Sequence, residues 1–287
     1  MMNKIINEIR DEERAYYGTR DTIFDCVTIS GPKDGESAFK ECKNISVFRS
    51  TFNLRYPFWH NETLTIEQSV FTSASRAALW YSNNVLLKGI DASGVKAVRE
   101  CNNVEVVDSM VDSEEFGWKT NHISLRNCTL TSVYAFMSAS DVSLTRVRFK
   151  GKYSFQYVNR LTIKDSILDT KDAFWHAKDV LVENSTIIGE YLAWYAENIT
   201  FRKCHIKGTQ PLCYSKNIKF EQCTFENCDL AFENSEVNGT IFGTLVSIKN
   251  PLKGELEIDE IPEMIIDDFD RSNGQFKITK RKENANS

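Results

Sequence analysis

The sequence predicts an all-β fold: a single-stranded right-handed parallel β-helix of about eleven turns with a 19-residue period, closed at its start by a short helix. Three observations carry this. An apolar anchor recurs at Ile45, Leu64, Val85, Val104, Ile123, Val142, Leu161, Val180, Ile199, Ile218 and Val237, every interval being 19 except one of 21. A second apolar position follows two residues later, from Val47 and Ile66 through Phe201 and Phe220, and period-two alternation marks a strand. Finally, all five tryptophans, Trp59, Trp80, Trp118, Trp175 and Trp194, fall in one column, five residues before the anchor.

Taken in chain order, residues 3–16 carry Ile5, Ile6, Ile9 and Tyr16 at helical spacing, which predicts an amphipathic helix plugging the first turn and an N-terminal cap over residues 1–20. The β-helix spans 21–261. Within it an Asn or Asp usually precedes the anchor, and a small residue stands five positions after it, as at Ser50, Ser69, Ser109, Cys128, Ser166, Ser185, Cys204 and Cys223. Leucine-rich repeats share part of this pattern but need 20–29 residues per unit, and a left-handed β-helix needs a hexapeptide pattern that is missing. Leu256 lies 19 beyond Val237 and extends the pattern by one weaker turn. Residues 262–287 break the period and are expected to form a C-terminal cap and a disordered KRKENANS tail.

The columns before each anchor assign inside and outside. The tryptophans are flanked at two residues either side by small side chains, such as Ala173 and Ala177 around Trp175, and positions of one parity share a strand face. The opposite parity carries Lys96, Glu115, Asp172 and Asp229 eight before the anchor, and His60, Glu100, Lys119 and His176 four before it. Burying so many ionisable groups is costly. The expectation is therefore tryptophans inward and the charged face outward. Between those charged columns lie Phe39, Phe58, Phe136, Phe155 and Phe174, flanked by Tyr81, Tyr157, Tyr195 and Tyr214 and by Tyr56, Tyr134, Tyr153 and Tyr191.

Such an exposed aromatic face calls for a partner. Rings beside carboxylates, histidine and lysine suit a sugar, with His60, Tyr81, Phe155, Tyr157, Phe174, Tyr195 and Tyr214 as substrate-binding groups. Acid–base candidates are Asp172 and His176, four apart on one strand face and too distant to bond each other, and the checkerboard of Lys96, Glu100, Glu115 and Lys119. The checkerboard also reads as an ion-pair network, and the aromatic columns as a subunit contact or a covered ladder. The functional expectation is a carbohydrate-binding or carbohydrate-modifying protein, the alternative a non-catalytic scaffold or homo-oligomer pairing through that face.

Composition excludes other classes. The 287 residues carry a net charge of -5, which argues against nucleic-acid binding. No run of apolar residues is long enough to span a membrane, and the charged start lacks the apolar core of a secretory signal. Eight cysteines in a chain this long read as free thiols in the cytoplasm. The four histidines fall in separate columns or far apart, no C-x-x-C pair occurs, and neither a phosphate loop nor a G-x-S-x-G elbow is present. No metal and no cofactor is expected.

The segments GPKDGESAFKE, FNLRYPFWH, SRAALWYS, EEFGWKT, KGKYSFQY, DTKDAFWHAK and GTQPLCYSKN resemble a bacterial family, domain of unknown function three-seven-three-seven, among the pectate-lyase-like β-helices. The resemblance covers nearly the whole chain and implies the β-helix fold. The wider superfamily acts mostly on polysaccharides, but the G-H-G and R-I-K signatures of polygalacturonases and the calcium-binding aspartates of pectate lyases are missing here. The resemblance therefore carries over no catalytic residue.

Overall fold

The computed structural model describes residues 2–31 and 36–281. It divides into two compact units, Met1–Gly151 and Lys152–Ser287. Both are parallel β-solenoid, about 14 turns in all, with no helix among the described residues. In the first unit Asn3–Ile6 pairs with Arg20–Asp25, and the ladder continues through Lys43–Phe48, Glu62–Glu67, Asn83–Lys88, Asn102–Val107, Asn121–Arg126 and Ser140–Thr145. In the second it runs from Asn159–Lys164 through Lys178–Glu183, Glu197–Arg202, Lys216–Cys228, Val237–Leu245 and Gly254–Ile258 to Phe276–Lys280.

The expected capping helix over residues 3–16 is replaced by strands Asn3–Ile6 and Ile9–Arg10. Asn3 pairs with Thr22 and Ile5 with Phe24, the same 19-residue step as elsewhere. The ladder satisfies the backbone of this segment, and Ile5, Ile6 and Ile9 are β-branched residues that favour strand. Ile6 and Ile9 are 52% and 80% exposed, so no apolar helical face exists. The count of eleven turns was short for a related reason. The anchor of the second strand is the polar Thr22, which is buried and donates its hydroxyl hydrogen to the Arg20 carbonyl at 2.7 Å.

At the other end the period itself changes. Leu256 is buried and in a strand, but it pairs with Gly239, 17 residues back, and Gly254 pairs with Phe276, 22 residues on. Within 262–287, strands Glu263–Ile265 and Phe276–Lys280 extend parallel pairing. Most of the expected tail, residues 282–287, lies outside the described residues.

Each turn is cornered by left-handed residues. In the turn anchored at Val180 these are Asp172, Phe174, His176, Asp179 and Asn184, with φ of 56°, 61°, 57°, 56° and 47°. This explains the Asn or Asp before the anchor, since these side chains tolerate positive φ better than others. They also link the turns: Asn103 Nδ2–H donates to Asn84 Oδ1 at 2.6 Å, and Asn217 to Asn198 at 2.8 Å.

The left-handed run before the anchor overturns the sorting of faces by parity: the tryptophan and phenylalanine columns exchange places, while the column of His60, Glu100, Lys119 and His176 faces outward as expected. Parity sorts side chains only along extended backbone, and residues 173–176 form a turn closed by Ala177 N–H donating to Phe174 O at 3.0 Å. Ala173, Phe174 and Ala177 all point inward, while Trp175 and His176 point out. The phenylalanine column is thus core, not surface: Phe39, Phe58, Phe136, Phe155 and Phe174 are all 0% exposed. Phe155 stacks on Phe174 at 5.0 Å, and Phe39 on Phe58 at 4.9 Å. The tryptophans expected inside are half-buried at the surface. Left-handed backbone costs about 1–2 kcal/mol per non-glycine residue. Hydrogen bonds to adjacent turns offset it, as from Asp172 N–H to Glu190 O, Phe174 N–H to Ser154 O and His176 N–H to Trp194 O, each 2.9 Å.

Candidate ligand-binding face

The outward columns are therefore those five and four residues before the anchor. In the second unit the latter holds Tyr157, His176, Tyr195 and Tyr214, which form one continuous stack. Successive ring centroids are 4.8, 5.1 and 5.0 Å apart, with planes inclined by 3°, 8° and 11°. Tyr157, Tyr195 and Tyr214 are 55%, 47% and 38% exposed. The left-handed backbone at each of the four, φ 57° throughout, repeats one side-chain direction turn after turn, so the rings superpose.

Beside this stack Trp175 lies on Trp194 at 5.4 Å and 6°. Their indole N–H groups donate to backbone carbonyls, Trp175 to Tyr191 at 2.7 Å and Trp194 to Gln210 at 2.9 Å. These tryptophans seal the corner and keep no free donor. Tyr214 meets Trp194 edge to face at 6.2 Å. Burial, reinforced by the Glu233 carboxylate, raises its phenol above the usual range.

Asp172 sits across the tryptophan column. It is buried, and desolvation raises its carboxyl above the usual range although Lys152 and Lys171 pull the other way. Lys152 Nζ lies 4.3 Å from the Tyr153 ring centre and Lys171 Nζ 5.0 Å from that of Tyr191, while Lys171 also pairs with Glu190. No hydrogen bond joins Asp172 to His176 among the described residues.

Of the sequence-derived candidates, Phe155 and Phe174 drop out as ligand contacts, because both are fully buried. His60 and Tyr81 stack on each other at 4.9 Å in the first unit, beside Trp59 and Trp80. The charge checkerboard is an ion-pair network: Lys96 lies 3.3 Å from Glu115, and Arg99 lies 3.5 Å from Glu115 and 3.3 Å from Glu100. Lys119 is exposed and joins no ion pair among the described residues. The organiser of this network, Arg99, was overlooked. It occupies the tryptophan column and lies between Trp80 and Trp118, 5.1 and 5.0 Å from their ring centres. Its place in that column is legible in the register, as is the cation–π sandwich that follows.

A family model described as "Protein of unknown function (DUF3737)" matches residues 3–279. The chain belongs to that family. The match spans the described solenoid of DUF3737 almost end to end. No curated protein matches the sequence. Among solved structures, the surface adhesin PfbA of Streptococcus pneumoniae is similar at 11% identity and a TM-score of 0.39, covering 99% of this chain and 84% of that one. The mannuronan C-5 epimerase AlgE4 A-module of Azotobacter vinelandii is similar at 10% identity and a TM-score of 0.31, covering 97% and 91%. The catalytic domain of a GH87 α-1,3-glucanase gives 8% identity and a TM-score of 0.26, covering 97% and 61%. Likeness this distant carries no chemistry across to the DUF3737 chain.

Proposed function

We propose that this protein binds carbohydrate through the outward aromatic face of its second unit. The observation that supports this is the stack of exposed Tyr157, Tyr195 and Tyr214 with half-buried His176, a row of ring edges ending in hydroxyl and imidazole groups. Apolar C–H surface beside evenly placed hydrogen-bonding tips is what a sugar requires of a protein. Binding is favoured over modification by two features. Glu100 and Glu115 are held in ion pairs, and Asp172 is buried without a hydrogen bond to His176.

A glycan array with the full chain tests the reading. Tyr195→Phe keeps the ring in the stack and removes its hydroxyl; it should weaken binding about fivefold, the size of one net hydrogen bond, at unchanged melting temperature. An array on which nothing binds, or a hit indifferent to Tyr195→Phe and His176→Ala alike, rejects it.

A second reading, contact between two copies, is favoured by the exposure of Tyr157, Tyr195 and Tyr214, since monomers rarely leave such a patch bare. Light scattering distinguishes it: a dimer that Tyr195→Ala dissociates replaces the carbohydrate proposal.

A further inference from the structure

We infer that the ligand of this face is an extended, uncharged polysaccharide, lying along the ring stack and engaging about four sugar units. This rests on the carbohydrate reading and deepens it.

The argument begins with what the stack hides. Tyr157 and Tyr195 cover the two faces of His176, and His176 and Tyr214 cover those of Tyr195. No sugar can lie flat on either ring. Solvent instead meets a row of edges whose spacing is that of the turns, about 5 Å. A single sugar spans one or two such tips and leaves the others in water. A chain that advances by about one sugar unit per turn offers a hydroxyl to each tip in succession. Because the four tips are prealigned by the backbone, such a chain gains each further contact without ordering another side chain.

The charge around the stack selects an uncharged chain. Lys171 pairs with Glu190, and Lys249 lies 3.1 Å from Glu233. Asp172 stands between the fields of Lys152 and Lys171. Lys178, two residues past His176, likewise lies 3.2 Å from Glu197, so these flanking lysines are matched within the protein. The tips are phenols and one imidazole, groups that exchange hydrogen bonds with hydroxyls. A run of carboxylates would meet no unpaired row of cations and would lose solvation without recompense.

Titration calorimetry of the full chain with a length series from monomer to hexamer tests this. The probes are cello-oligosaccharides, or the neutral glycan selected by the array, alongside oligogalacturonides as the charged control. Affinity should rise about fivefold per added unit, one net hydrogen bond each, and level off near the tetramer. Tyr195→Phe should lower tetramer affinity about fivefold and flatten the rise. A monosaccharide binding as tightly as the tetramer overturns the polymer inference while leaving carbohydrate binding intact, and stronger binding of the uronate series overturns its neutrality. If neither the series nor the array binds, the underlying reading falls and takes this inference with it.

Discussion

At the scale of the residue, two aromatic side chains of successive turns have opposite roles. Phe174 is fully buried against Phe155, so Phe174→Ala should cost about 3–5 kcal/mol. Tyr195 is 47% exposed, and Tyr195→Ala should cost no more than its stacking, about 0.5–1.5 kcal/mol. Urea unfolding measures both, and a reversed order would show the faces misassigned. Asp172 makes a second prediction. Desolvation raises its folded-state pKa, so the folded state binds the proton more tightly than the unfolded one. Stability contributed by this group therefore falls as pH rises from about 4, the ordinary aspartate value, through the raised folded value. Asp172→Asn should stabilise the protein at pH 7 and remove that part of the pH slope. A variant less stable at neutral pH would mean that the attraction of Lys152 and Lys171 outweighs burial.

At the scale of the element, several turns carry a large inward ring just before the anchor, but its position is not always the same. Ala173–Phe174 places the ring six residues before the anchor, whereas Phe116–Gly117 places it seven before. Gly117 has φ of +75°, and a Cβ there would stand 2.7 Å from Cδ1 of Phe136. That ring meets Phe116 edge to face at 5.6 Å and 87°, where the regular turns stack their rings flat. Gly117→Ala should therefore cost about 1–3 kcal/mol by overpacking. The double change Phe116→Ala with Gly117→Phe restores the commoner order at nearly constant volume, and should lie within about 1.5 kcal/mol of the natural chain. A double variant as unstable as the sum of its single changes would show that the two positions are not one packing unit.

At the scale of the whole molecule, strand surfaces are laced with ion pairs between successive turns. Glu183 accepts from Lys164 and Arg202, Glu221 from Arg202, and Glu226 from Lys207 and His205, and these bonds lower all three carboxyls. Depressed carboxylates stabilise the fold above their unfolded pKa and lose that contribution as pH falls through the folded values. The melting temperature should drop below about pH 4, and less steeply at high salt, because these pairs are screened. An acid limb insensitive to salt would place the loss elsewhere. Far-UV circular dichroism should show β-structure with no helical component.

Most of the architecture was present in the sequence because it is periodic. Burial of one apolar anchor per turn forces the chain to return every 19 residues, and Ile45 through Val237 record that return. Column membership followed from the same register, including the alignment of Tyr157, His176, Tyr195 and Tyr214. Which way a column faces was decided only in three dimensions. Left-handed residues at Asp172, Phe174 and His176 turn the backbone so that adjacent side chains, not alternate ones, share the inside, and parity along the sequence cannot register that rotation. The same rotation buries Phe155 and Phe174, brings the tryptophans to the surface, and lays the rings of Tyr157, His176, Tyr195 and Tyr214 one on another in a stack that only the folded turns create.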